Sequence, residues 1–105
     1  MKFEDVKTRI EEILKSYDRI EILKYEEVEE NNGAFLVRYK DYTDDDVFTY
    51  DIWFNCEDID LVDCNGYGFA SVSTIADYKA IKEVFDRTFS NESVEYNIKE
   101  YYEEV

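Results

Sequence analysis

Apolar residues recur at Phe3, Val6, Ile10, Ile13 and Leu14, with charged residues between them. On a helix of 3.6 residues per turn that spacing gives one apolar stripe, and it predicts a helix from about Lys2 to Tyr17. The period then shortens to two. Ile20 to Glu29 is rich in β-branched and aromatic residues, and Asn31-Asn32-Gly33 marks a turn. From Ala34 to Tyr42, Phe35, Val37 and Tyr39 alternate with Leu36, Arg38 and Lys40. Thr43 to Asp46 is a polar break. From Val47 to Cys56 the alternation is strongest. Phe48, Tyr50, Ile52 and Phe54 share one face of a strand, and Val47, Thr49, Asp51, Trp53 and Asn55 share the other. Asp51 on that second face predicts contact with solvent or a partner.

Glu57-Asp58 ends this run. Ile59 to Cys64 and Tyr67 to Val72 then flank Asn65-Gly66. An Asn-Gly pair between two such runs signals a type I′ hairpin, whose two central residues need positive φ. Thr74-x-x-Asp77 resembles a capping box with Asp in place of Glu. It predicts a helix from Thr74 to about Ser90-Asn91, with Ile81, Val84, Phe85 and Phe89 as its stripe. In the tail, Val94, Ile98, Tyr101, Tyr102 and Val105 recur at helical spacing, while Val94, Tyr96 and Ile98 also alternate like a strand. The longer helical series favours a helix. The expected fold is a single α+β domain over residues 1–105: an N-terminal helix, an antiparallel meander of four to five short strands, then one or two helices, all packed on one sheet face.

Composition supports a packed core. Of 105 residues, 45% are apolar and 17% aromatic, unlike disordered acidic chains, which are poor in aromatics. No apolar run approaches the roughly 20 residues needed to span a bilayer. The N-terminus has no apolar stretch of the kind that leads a secretory signal. Cys56 and Cys64 fit no metal-binding spacing and sit far from opposite each other in the expected strands, which disfavours a disulfide, so two reduced thiols are expected.

Charge changes the picture. The net charge is −15, and it is not spread evenly. Residues 1–20 carry five basic and five acidic side chains, and residues 67–90 carry three of each. Residues 21–66 carry three basic and fourteen acidic side chains, and residues 91–105 one against five. No Lys or Arg occurs at any of the 38 positions from 41 to 78. Such a block repels itself and is relieved by a cationic partner. Direct binding of nucleic acid or of an anionic membrane surface is disfavoured, because both need Lys and Arg.

Candidate chemistry is sparse. With no His, the commonest general base and metal ligand is missing. No Gly-x-Ser-x-Gly elbow or phosphate-binding glycine loop is present. Asp58, Asp60, Asp63, Asn65 and Gly66 look superficially like a calcium loop. Aligned on Gly66, however, Leu61 and Val72 occupy ligand positions. No catalytic residue, metal or cofactor is expected. The acidic block itself is the candidate site, with aromatic residues among the acids as potential anchors. Its partner-binding residues are Tyr42, Asp44, Asp45, Asp46, Asp51, Trp53, Glu57, Asp58, Asp60 and Asp63, joined by Glu100, Tyr102, Glu103 and Glu104 in the tail. Tyr50 and Tyr101 also sit among these acids. Alternate strand acids, such as Glu27 and Glu29, would form rows about 6.6 Å apart, a scale comparable with a nucleic-acid backbone.

Small size, richness in Tyr, Asp and Glu, absence of His and Pro, and runs such as Asp44-Asp45-Asp46 give the chain a resemblance of kind. It resembles small acidic proteins of phages and mobile elements that inhibit host nucleic-acid enzymes, among them anti-CRISPR proteins and DNA mimics. No individual residue is carried over. The resemblance implies a non-enzymatic, stoichiometric inhibitor in the cytoplasm of a bacterial host cell. Its partner would be a basic protein, a Cas effector nuclease in particular, whose Arg- and Lys-bearing DNA- and PAM-reading surface it would block. Immunity proteins of bacterial nuclease toxins share the same general character, and a non-inhibitory acidic interaction module is a third reading.

Overall fold

The computed structural model describes residues 2–43, 46–56, 60–67, 72 and 74–104, with Glu104 by its backbone alone. The chain forms helix α1 (Phe3–Lys15), strands β1 (Ile20–Glu29) and β2 (Asn32–Tyr39), a 3₁₀ turn over Asp46–Phe48, strands β3 (Thr49–Asn55) and β4 (Leu61–Asn65), and helices α2 (Tyr78–Phe89) and α3 (Asn91–Glu104). The four strands make one antiparallel sheet in the order β1-β2-β3-β4. This is the expected α+β meander, and the tail is a helix.

α1 begins with Glu4 and Asp5 in its first turn and carries Lys15 in its last, as the helix dipole favours. It stops two residues short of Tyr17, because Ser16 closes the C-terminus. Both the Ser16 backbone N–H and its hydroxyl donate to carbonyls of the last turn, the hydroxyl to Ile13 at 2.6 Å. Tyr17 is then free to leave the helix axis, bury its ring and donate its hydroxyl to Asp86 at 2.6 Å.

α2 starts later than the Thr74 boundary. Asp77 is itself the N-cap and accepts the Ala80 N–H at 3.0 Å, so the short carboxylate caps the helix instead of closing a box from inside it. Ser90 joins the two C-terminal helices. Its hydroxyl donates to the Asp86 carbonyl at the end of α2 and accepts the Ser93 N–H at the start of α3.

One sheet face is covered. Phe35, Val37 and Tyr39 of β2, Tyr50, Ile52 and Phe54 of β3, and Val62 and Cys64 of β4 are all buried. They meet Val6, Ile10 and Leu14 of α1, Ile81, Phe85 and Phe89 of α2, and Val94 of α3. Some polar atoms inside this core are hydrogen-bonded, whereas the Tyr25 and Thr88 side-chain hydroxyls have no partner among the described residues. The Tyr39 hydroxyl donates to the Thr88 carbonyl at 2.8 Å and accepts from Tyr50 and from Asn97, both at 3.1 Å, tying β2 and β3 to both C-terminal helices. Tyr50, expected as a possible surface anchor, is therefore a core residue.

Two turns differ from expectation. The turn between β1 and β2 is made at Glu30-Asn31, one residue earlier than Asn31-Asn32-Gly33, and Asn31 supplies the positive φ of 60°. After β4 no type I′ turn forms at Asn65-Gly66. Asn31 is the only non-glycine with positive φ among the described residues, and Gly66 does not adopt one. Val62 instead exchanges two backbone hydrogen bonds with Val72. A two-residue turn at 65–66 would have set Val62 opposite residue 69. Gly66 is needed for a different reason: a Cβ there would lie 2.1 Å from Cδ1 of Tyr50. Residues 68–71 of the anticipated fifth strand lie outside the described residues.

Candidate functional site

The alternate residues of the same strands make the other sheet face, which none of the described helices covers. On β3 these are Asp51 and Trp53, both exposed, with Trp53 43% accessible. On β4 the exposed neighbour is Asp63. The register pairs Glu26 with Ala34, Ala34 with Trp53, and Trp53 with Asp63. One row of side chains thus crosses all four strands, with neighbouring strands about 4.8 Å apart.

A bulge decides the β1 end of this row. Ile20 and Ile22 pair with Tyr39 and Val37 and point to the core, but the register shifts between Ile22 and Lys24. Beyond the extra residue, Tyr25 pairs with Phe35 and turns inward, and Glu26 turns outward beside Ala34. Without the bulge Glu26 would oppose Gly33 and face the core. A second shift between Glu27 and Glu29 puts those two residues on opposite faces. The expected Glu27–Glu29 row of charge is therefore absent.

The small Ala34 side chain leaves a depression of about 510 Å³. Val28, Trp53 and Leu61 give it apolar surface, Glu26, Asp51 and Asp63 give it carboxylates, and Asn55 and Asn65 complete the lining, which contains no Lys or Arg. The Trp53 indole N–H points to the Asn32 side-chain oxygen at a long 3.5 Å, and Asn32 is anchored by its amide to the Glu30 carbonyl at 3.2 Å. Glu26 lies 3.9 Å from Lys24, which partly offsets its charge. Asp51 and Asp63 are the carboxylates that flank the indole itself.

The remaining expected residues fall elsewhere. Tyr42 is half-buried and packs against Phe48 at 5.4 Å and Tyr102 at 6.3 Å between ring centroids. Tyr101 is half-buried against Phe48. Asp46 is exposed at the start of the 3₁₀ turn, and Asp60 is exposed just ahead of β4. On α3, Glu100 accepts the Tyr96 hydroxyl at 2.8 Å, and Glu103 lies 3.8 Å from Lys99. Because α3 packs through Val94 and Asn97 on the covered side of the sheet, the anticipated single acidic surface divides in two. Asp51, Trp53 and Asp63 share the open face. Tyr42, Asp46, Glu100, Tyr102 and Glu103 gather around α3 and the loop beneath it. Asp44, Asp45, Glu57 and Asp58 lie outside the described residues, as does the side chain of Glu104.

Glu26, Ala34 and Leu61 belong to the site although the sequence did not single them out. Glu26 depends on the bulge, and Ala34 contributes by being small.

The cysteines show no activation. Burial pushes the thiol of Cys64 up, with Asp63 adding to it, and Cys56 is raised first by burial and then by the Asp60 carboxylate. Both shifts suppress the nucleophilic thiolate. No three His, Cys, Asp or Glu side chains among the described residues are grouped to hold a metal ion. No described helix is long and apolar enough to cross a membrane.

No protein-family model matches the chain, and no curated protein sequence or solved structure is significantly similar to it.

Proposed function

We propose that the protein is a stoichiometric inhibitor of a basic, nucleic-acid-binding enzyme, acting as an anti-CRISPR protein that covers the DNA- and PAM-reading surface of a Cas nuclease by charge mimicry. One observation carries the reading. An exposed tryptophan has one carboxylate across the strands and another along its own strand, on a helix-backed sheet face, in a chain of net charge −15. Exposed aromatic residues serve as anchors in interfaces, and a field of one sign steers the oppositely charged partner toward them. A surface that reads duplex DNA presents Arg and Lys to phosphates and base edges, so it is complementary to this face. The protein would act in the cytoplasm of a bacterial host cell, and no residue is assigned a catalytic role.

The test is capture and competition. The protein is immobilised, exposed to bacterial lysate containing a Cas effector, and eluted with a salt gradient. The expected result is retention of the effector at low salt, release as salt rises, and displacement by duplex DNA. In solution, DNA cleavage should fall to zero near one inhibitor per enzyme. Retention of a nuclease toxin instead would transfer the same surface to an immunity protein. If no basic nucleic-acid-binding protein is retained, or if inhibitor and DNA occupy the enzyme together, the mimicry reading fails.

A further inference from the structure

The arrangement around Trp53 is more specific than net charge requires. Asp63 is directly opposite Trp53 across β3 and β4. Asp51 is two residues before it on the same strand face, about 6.6 Å away along the strand. The depression beside the ring has apolar walls and no cation in its lining. An aliphatic stem can lie along such walls, while a charged head needs both the indole face and the carboxylates.

We infer that this groove seats a single arginine side chain of the partner, with its guanidinium stacked on Trp53 and its N–H groups directed to Asp51 and Asp63. The inference rests on the inhibitor reading above and names the group which that reading leaves open. Charge complementarity requires a cation, and the geometry selects arginine over lysine. A guanidinium is planar, stacks on an aromatic face, is weakly hydrated and donates in several directions at once. An ammonium is a compact, strongly hydrated point charge that gains little from a flat ring flanked on two sides. A DNA-reading surface is also where exposed arginines concentrate, since bidentate contact to guanine is the commonest specific pairing.

Trp53 is the only tryptophan in the chain, so its emission reports on this groove without a label. The protein is titrated at low salt with a C-terminally amidated tetra-arginine peptide and with its tetra-lysine counterpart. Tetra-arginine should change Trp53 emission saturably and bind at least fivefold more tightly than tetra-lysine. Asp51→Asn and Asp63→Asn should each weaken it at least threefold. Glu83→Gln, which removes the same unit of charge from the exposed side of α2, should change affinity less than twofold. Far-UV circular dichroism confirms that each variant is folded. Equal binding of the two peptides, unmoved emission, or Asp51→Asn and Asp63→Asn variants that behave like Glu83→Gln would each overturn the arginine seat. If a nuclease is still captured from lysate when that happens, the inhibitor reading survives without this groove. If the peptide seats at Trp53 but no basic nuclease is captured, the arginine seat stands and the inhibitor reading falls.

Discussion

Trp53 and Phe54 are neighbours in the chain and lie on opposite faces of the sheet. Phe54 is fully buried, stacked on Phe3 at 5.1 Å and on Phe35 at 5.9 Å. Trp53 stands on the open face among carboxylates. The same division runs the length of β3, where Tyr50 and Ile52 go inward and Asp51 goes outward. The pleat sends alternate residues to opposite sides, so one strand builds a core and a surface at once. On the covered face, apolar contact and the hydrogen bonds that meet at the Tyr39 hydroxyl fix the fold. On the open face, side chains need only to be held in place by the strands beneath them. The large stability effects therefore belong to one face and the binding effects to the other.

The widest test of this division is the adjacent pair. Phe54→Ala empties a buried aromatic site and is expected to cost about 3–5 kcal/mol. Trp53→Ala removes an exposed ring and should change stability by no more than about 0.5 kcal/mol, while removing binding to a basic partner. Urea denaturation followed by circular dichroism, with capture measured beside it, reads both. A Trp53→Ala variant that loses several kcal/mol would show that the open face is structural.

Gly66 tests a narrower point, since it directly follows β4 and presses on the covered face. Its backbone approaches the Tyr50 ring so closely that any Cβ collides with it. The ring is fully buried and its hydroxyl is hydrogen-bonded to Tyr39, so it has little room to move. Gly66→Ala is expected to cost about 1–3 kcal/mol, the range of an overpacked core. Made in a Tyr50→Leu background, which is itself less stable, Gly66→Ala should cost less than in the parent chain if the ring is the obstacle. A neutral Gly66→Ala would mean that the loop can lift away from the sheet.

These two sites also show how far sequence reading reached. The period of two over residues 48–54 and the helical stripes in α1 and α2 were legible, because each element buries one face and repeats its apolar residues accordingly. Asn65-Gly66 was legible as special, but for the wrong reason: glycine is required there by contact with Tyr50, a residue sixteen positions away. The bulge at Leu23 was not legible at all. Nothing local in Ile20–Glu29 signals an extra residue. It follows from pairing with β2, where Phe35 demands an inward partner and receives Tyr25. The candidate site was accordingly half visible. Asp51, Trp53 and Asp63 follow from alternation, whereas Glu26 depends on the bulge. The tail acids, which share the sign of the block, lie on a helix behind the sheet.

Among the helices the charged groups act locally, and pH exposes this. Burial alone would push the Asp86 carboxyl up, but the hydrogen bonds from Lys82 at 2.7 Å and Tyr17 at 2.6 Å outweigh it and hold the pKa below the usual value. A carboxyl depressed in the folded state stabilises the protein above its unfolded pKa, and that contribution disappears as pH falls through the folded value. Asp86 is 46% exposed, so the pair is screened and Asp86→Asn should cost less than about 1 kcal/mol at pH 7. The difference from the parent chain should shrink as pH falls below the usual carboxylate range and through the lowered folded value of Asp86. A penalty that persists unchanged at pH 2 would show that Asn fails there by packing rather than by charge.

The smallest expected effect on stability is on the open face, where the largest effect on binding is expected. Asp51→Lys and Asp63→Lys together change the net charge from −15 to −11, each reversal contributing +2. Both positions are solvent-facing, so exposed substitutions of this kind should shift stability by only about ±0.5 kcal/mol. The sign should be favourable, since self-repulsion in a chain of one charge falls as that charge is reduced. Added salt should stabilise the parent more than the double variant for the same reason, because screening removes a repulsion that the variant already lacks. Capture of a basic partner should move the opposite way, weakening at low salt and losing much of its salt dependence. A double variant that is more stable yet binds less separates the two faces by sign as well as by size. If both properties fall together, the carboxylates hold the sheet itself, and the open face is part of the fold.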